Sequence, residues 1–254
     1  MRKMVKNYII IISIIIINSF SNKAFLQEYY HTDQSEMIFS FGTFEKDNRD
    51  IPVNLRYTSW LHLSRHYHFN INNWLGFYSG MALRNIGIIS FEDYAENELS
   101  LLPGLGPYST IKTKRRSYSL GIPLAFKLGS FKKHVFFYGG GSYELLFHYK
   151  QKVFIEGNKY KETKWFSKKT NTFIPSVFAG IQFPKGLNFS FKWYLDNFLN
   201  QNYAYKGIKP YAGVDTQIFY VSISFQYSTS KKYKKKKKEE NTGKEKEITA
   251  KLSY

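Results

Sequence analysis

From Leu187 to Asp196 every second side chain is apolar: Leu187, Phe189, Phe191, Trp193 and Leu195 alternate with Asn188, Ser190, Lys192, Tyr194 and Asp196. Successive side chains on a strand point to opposite faces, so the segment predicts one aromatic face and one polar, charged face. Seven other stretches repeat the pattern. The first, Glu36 to Phe44, sets Met37, Phe39 and Phe41 against Ser40 and Gly42. The second, Val53 to Ser64, sets Leu55, Tyr57, Leu61 and Leu63 against Asn54, Arg56, Thr58, Trp60, His62 and Ser64. The third, Asn73 to Ile86, opposes Leu75, Phe77, Met81 and Leu83 to Gly76, Tyr78, Gly80 and Arg84. The fourth opposes Tyr118, Leu120, Ile122, Leu124, Phe126 and Leu128 to Arg115, Ser117, Ser119, Gly121, Ala125 and Lys127.

The fifth stretch, His134 to Lys150, predicts an apolar face of Val135, Phe137, Tyr143, Leu145, Phe147 and Tyr149. Ser142, Glu144, His148 and Lys150 share its other face. The sixth, Thr172 to Phe183, is less regular, with Ile174 and Phe178 on the nominally polar side. The eighth places Phe219, Val221, Ile223, Phe225 and Tyr227 opposite Tyr220, Ser222, Ser224 and Gln226. Few apolar residues recur at helical spacing, and glycine, β-branched and aromatic residues dominate the strands.

The connections alternate in length. Arg65–Asn72, Ser130–Lys133 and Pro184–Gly186 are short, whereas Gly87–Lys114, Val153–Asn171 and Asn197–Val214 are long. With the N-terminus in the periplasm, all the long connections fall outside and all the short ones inside. Together these features predict an eight-stranded antiparallel transmembrane β-barrel of the outer-membrane type. A soluble β-sandwich or secreted barrel is the alternative. It would invert the polarity of every strand, with its apolar face inward.

Composition adds a leader and a tail. Arg2, Lys3 and Lys6 precede an apolar run, Tyr8 to Ile17, too short to span a bilayer as a helix; this is a signal-peptide pattern, with cleavage expected after Ser21 or after Ala24. The chain has no cysteine, which excludes a disulfide framework and a thiolate metal site. The net charge of +18 is divided between leader, body and the segment from Lys231 to Tyr254. Lysine accompanies abundant isoleucine, asparagine and tyrosine, as in AT-rich coding sequence, and no nucleic-acid-binding motif is present, so nucleic acid is not an expected partner. Lys231–Lys238 is lysine except for Tyr233. Such a run predicts disorder, and its periplasmic position suits an anionic partner. The expected organisation is a signal peptide over 1–21, a lead-in over 22–35, the barrel over 36–227 and the tail over 228–254.

Three segments carry a family resemblance: Tyr118-Ser119-Leu120-Gly121-Ile122-Pro123-Leu124, Phe136-Phe137-Tyr138-Gly139-Gly140-Gly141-Ser142 and Val177-Phe178-Ala179-Gly180-Ile181-Gln182. In these the chain resembles the PorT-like outer-membrane β-barrel family, over roughly Glu36 to Tyr227. The resemblance implies the barrel fold, and for some relatives a role in protein secretion. It implies no functional residues. Such barrels usually end at an aromatic residue read by the assembly machinery, an expected partner alongside membrane lipid. Here 27 residues follow Tyr227.

The polar faces of neighbouring strands converge on a narrow lumen. The expected charge network is Arg56, Arg84, Arg115, Glu144, His148, Lys192 and Asp196, filling it as paired ions. Glu144 and His148 share a face four residues apart, a spacing that suits an acid–base pair. Ser142 and His148 are six residues apart, about 20 Å along a strand, so no triad forms with them. His62, His66 and His68 share parity and would suit zinc or copper if the strand ran on; a turn after Ser64 would separate them. The run Phe91 to Glu98 places four carboxylates in the longest outer connection, without EF-hand spacing. No cofactor is expected. The function expected is non-enzymatic: envelope structure, adhesion or secretion through the outer loops or the tail. A membrane-embedded lipid- or protein-modifying enzyme is the alternative.

Overall fold

The computed structural model describes residues 28–59, 61–93, 110–155, 158–205 and 207–228. The expected signal peptide, Trp60, most of the acidic run and the lysine tail lie outside the described residues. The strands are β1 (Glu28–Lys46), β2 (Arg49–Asp50), β3 (Val53–Asn54), β4 (Arg56–Thr58), β5 (Leu63–Asn70) and β6 (Leu75–Asp93). They continue with β7 (Thr110–Ser130), β8 (Val135–Ile155), β9 (Asn158–Trp165), β10 (Phe173–Gln182), β11 (Leu187–Tyr194) and β12 (Val214–Ser228).

Eight walls close on themselves: β1, β5, β6, β7, β8, β10, β11 and β12, each antiparallel to the next, with β12 returning to β1 from Thr32↔Ser228 to Lys46↔Val214. Closure removes the sheet edges that would otherwise expose unpaired backbone groups to lipid. The second wall is a composite. β3 pairs with β6 and β4 with β1, and β5 then carries the wall down to Asn70.

The faces are inverted relative to a soluble barrel. Phe126 and Phe137 are 64% and 65% exposed, whereas Lys127 and Glu144 are 0% exposed. The outer wall is a band of Leu120, Ile122, Leu124, Phe126, Phe191, Trp193 and Phe225, the arrangement that a lipid-facing barrel requires.

Several segment boundaries differ from the sequence reading. β1 begins at Glu28, so part of the expected lead-in is strand; its outward His31, Asp33 and Ser35 interrupt the apolar face and hide it from a pattern search. The second wall runs past Ser64 to Asn70, which moves the inner turn to 71–74, where Asn72 Oδ1 accepts from the backbone N–H groups of Trp74 and Leu75. β6 and β7 pair out to Asp93↔Thr110, so Phe91, Glu92 and Asp93 are strand, not loop.

The largest correction lies in β8. Ser119 pairs with Leu146 but Tyr118 pairs with His148, so one extra residue enters the strand there. A bulge of this kind reverses side-chain parity beyond it. Tyr149, expected to face outward, is 1% exposed and faces inward, while Lys150 and Lys152 move to the outer wall.

Candidate functional site

Among the described residues the buried polar side chains converge in the lumen, which is built in layers. At the level of the inner turns, Lys127 Nζ donates to Asn70 Oδ1 at 2.7 Å and lies 3.2 Å from His68 Nδ1. The ammonium also sits over the rings of Phe131 and Phe136, at 4.7 and 5.4 Å from their centroids. Above it, Tyr78 packs against His66, Tyr138 and Phe178.

The central layer is ionic. Arg84 on β6 donates from Nε to Glu36 Oε2 at 3.1 Å and lies 3.5 Å from Glu144 Oε1. Lys192 on β11 pairs with Glu144 and donates to Ser142 Oγ at 2.9 Å. Ser119 and Tyr194 donate to Glu144 Oε2, at 2.6 and 2.9 Å, and Ser222 donates to Glu36 Oε1 at 2.8 Å. Two carboxylates therefore face two cations, with hydroxyls taking the remaining lone pairs. That is the condition under which buried ions are tolerated. Gly121 makes room for the cluster: a Cβ there would lie 2.8 Å from Glu144 Cγ.

Toward the outer end the lumen turns apolar. Ile38, Phe44, Ile86, Ile88, Leu146, Ile174 and Ile218 are joined by Phe198, Leu199 and Tyr211 from the connection between β11 and β12. That connection, expected to be a loop, is pinned over the mouth. Leu199 N donates to Thr216 Oγ1 at 3.0 Å, Asn171 Nδ2 to Asn197 O at 2.7 Å, and Gln201 Nε2 to Val214 O at 2.6 Å.

Five of the seven residues expected in the charge network are buried: Arg56, Arg84, Arg115, Glu144 and Lys192. They form three separate groups. Arg84, Glu144 and Lys192 share the central layer. Arg56 donates from Nη1 and Nη2 to Asn85 O and Oδ1, at 3.0 and 2.7 Å. Arg115 grips Glu92 with both guanidinium nitrogens, Nη2 at 2.9 Å from Oε2, and donates to Ser90 Oγ at 3.0 Å.

Two expected members are not in the lumen. His148 lies past the bulge, on the outer wall, between the rings of Tyr118 and Trp165 with centroids 5.6 and 4.6 Å away, so no acid–base pair with Glu144 exists. Asp196 follows the end of β11 and is exposed, and its Oδ1 accepts from the Asn197 N–H. Sequence reasoning missed three members: Glu36, Glu92 and Lys127. Glu36 and Lys127 have inward parity in their own strands and could have been found; Glu92 was hidden because β6 was ended too early.

His62, His66 and His68 do share the inner face, because β5 runs on. His62 is engaged apart from the other two, whereas the rings of His66 and His68 adjoin, with centroids 6.2 Å apart, and both pack on Tyr78. His62 Nδ1 accepts from Asn85 N at 3.2 Å, His66 packs on Tyr78, and His68 Nε2 lies 2.9 Å from Thr32 Oγ1. Among the described residues, no three histidines, aspartates or glutamates are grouped so as to hold a metal ion.

A Ser142–Lys192 pair superficially suits nucleophilic chemistry. Here the Glu144 carboxylate bonds both partners, and Phe198, Leu199 and Tyr211 pack into the apolar outer end of the same lumen.

No family model matches the chain, and no curated protein matches it. Solved structures do. The chain is similar to Ail, the attachment invasion locus protein of Yersinia pestis, at 14% identity over 77% of this chain and 99% of that one, with a TM-score of 0.36. It is similar to Neisserial surface protein A at 10% identity over 79% and 98%, with a TM-score of 0.38. It is similar to the outer membrane protein OprG of Pseudomonas aeruginosa at 8% identity over 80% and 98%, with a TM-score of 0.34.

Proposed function

We propose that this chain is a closed, non-conducting outer-membrane barrel that serves envelope structure and attachment through its outer rim, and has neither a pore nor a catalytic centre. One observation carries the reading: the lumen is occupied along its length, by Lys127 and its partners, by the Glu36–Arg84–Glu144–Lys192 layer and by the apolar cap. An eight-stranded barrel is just wide enough for side chains to fill it. What remains for interaction is the outer wall above the lipid band, where β6, β7 and β8 extend and β9 is added. The lipid-facing band supports an outer-membrane location, and the leader pattern of the sequence agrees with it. The PorT-like resemblance belongs to the same proposal; its motifs supply lumen glycines and outward apolar residues, and so support the fold more than a role in secretion.

The test is conductance. The full chain, refolded into a planar bilayer, is expected to give no steady current at moderate voltage. A stable ohmic channel would overturn the reading, because it would require the ionic layer and the cap to open together.

A further inference from the structure

Beyond the β8 bulge the outer wall changes character in a single step. Below it the outward residues are Leu120, Ile122, Tyr143, Leu145 and Phe147. At the bulge, Tyr118, His148 and Trp165 form one cross-strand row over β7, β8 and β9. The next rows are Arg116↔Lys150↔Thr163, Lys114↔Lys152↔Lys161 and Lys112↔Phe154↔Lys159. Seven cations thus occupy three successive rows on one face, and the middle row is three lysines directly opposed.

Like charges directly opposite across strands destabilise a sheet. Among the described residues, no carboxylate forms an ion pair with any of the seven. Glu162 sits on the other face of β9 and pairs with Lys169, and Glu92 pairs with Arg115 in the lumen. The cations lean on aromatic rings instead: Arg116 on Tyr118, Lys114 on Phe154 and Lys112 on Phe91, at 5.5, 5.4 and 5.3 Å. Partial burial first, and then the facing cations, lower the Lys150 and Lys152 amines from their ordinary value. A counter-anion supplied from outside the chain would relieve this repulsion.

Height and direction identify the anion. An aromatic row at the end of an apolar band marks the membrane interface. Each two-residue step along a tilted strand rises about 5 Å, so the three rows lie at roughly 5, 10 and 15 Å above the aromatic row: the first within the headgroup layer, about 5–8 Å deep per leaflet, and the others just above it, within reach of long lysine and arginine side chains that bend back toward phosphates. Their side chains leave the wall sideways, toward neighbouring lipids. We propose that the outer wall of β7, β8 and β9 binds the phosphate-bearing headgroups of outer-leaflet glycolipids. The proposal deepens the outer-membrane reading and rests on it.

The test uses the full chain in detergent with a bisphosphorylated lipid A, its dephosphorylated analogue and soluble inositol hexakisphosphate, with lipids retained read by native mass spectrometry. The wild type is expected to retain the bisphosphorylated lipid and not the dephosphorylated one. The triple variant Lys114→Gln/Lys152→Gln/Lys161→Gln is expected to bind it roughly a hundredfold more weakly, and the triple arginine variant at wild-type strength. Unchanged retention in the glutamine variant, or equal retention of the dephosphorylated lipid, would overturn the proposal. Binding of inositol hexakisphosphate without lipid retention would overturn it in favour of a soluble polyanion. A mobility shift on boiling, followed in every sample, keeps the two questions apart: a chain that shows no shift fails as a barrel, and one that shifts but ignores the lipid fails only as a lipid site.

Discussion

Arg84 Nε lies 3.1 Å from Glu36 Oε2, and the same guanidinium is 3.5 Å from Glu144, so one cation ties β6 to β1 and β8 across the lumen. Lys192 approaches the same Glu144 from β11. The ion pairs alone therefore join four of the eight walls at two carboxylates, where removing one charge leaves others buried without compensation.

That geometry gives the first prediction. Glu144→Ala strands Lys192 and part of Arg84, and is expected to cost about 3–5 kcal/mol in urea unfolding from lipid vesicles. Replacing both partners, Glu144→Leu with Lys192→Met, removes the charge pair together and is expected to recover most of that loss. A double variant as unstable as the single one would show that Glu144 acts through its hydroxyl partners, Ser119 and Tyr194, and not through the ion pair.

His148 gives the opposite expectation. It lies outside the ionic layer and contributes a ring between Tyr118 and Trp165. His148→Ala is expected to cost about 0.5–1.5 kcal/mol, the scale of an aromatic contact. A loss as large as that of Glu144→Ala would place the imidazole back in the lumen network.

The contrast between these two residues shows what could be read from the sequence. The alternation of Leu187–Tyr194 and Phe219–Tyr227 gave faces that the barrel keeps, because period two is local and one face is committed to lipid. The parity of β8 failed at one inserted residue, since a bulge is fixed by pairing with β7 and leaves no mark in β8 itself. Glu92 was lost for a related reason. Above the membrane both faces of β6 are free of the lipid constraint, and Ile86, Ile88, Ser90 and Glu92 alternate with Gly87, Ile89 and Phe91 without contrast. The cationic wall became visible only when the corrected register brought Lys150 and Lys152 onto the face of Lys114 and Lys161.

The outer wall also carries an ion pair in an unusual place. Arg65 donates from Nε and Nη2 to the two oxygens of Asp33, at 2.7 and 3.0 Å, in a cross-strand row with Met81 and beside Leu63 and Leu83. An arginine on the lipid face of a barrel costs about 2–4 kcal/mol at the midplane and less toward the interface. Asp33→Ala is expected to lower the urea midpoint in vesicles, and adding Arg65→Leu to restore it. A harmless single substitution would mean that Arg65 already reaches the headgroups by snorkelling.

The last prediction concerns pH. Lys150 is held below the ordinary lysine value, first by partial burial and then by Arg116, Lys161, Lys152 and Lys159; Lys152 is held down by burial, then by Lys159, Arg116, Lys114 and Lys161. Because the folded-state values lie below 10.5, the unfolded chain binds more protons in the window between them and 10.5. Stability to unfolding must therefore rise as pH climbs through that window, and below it the repulsion among the protonated rows stands in full. The urea midpoint in neutral-lipid vesicles is expected to increase toward pH 10.5, less steeply at high salt, where exposed charges are screened. In vesicles bearing the bisphosphorylated lipid the slope should flatten, because a bound phosphate stabilises the protonated amines that the bare wall penalises. A midpoint that falls with pH in neutral lipid would contradict the facing-cation geometry, whatever the lipid assay returned.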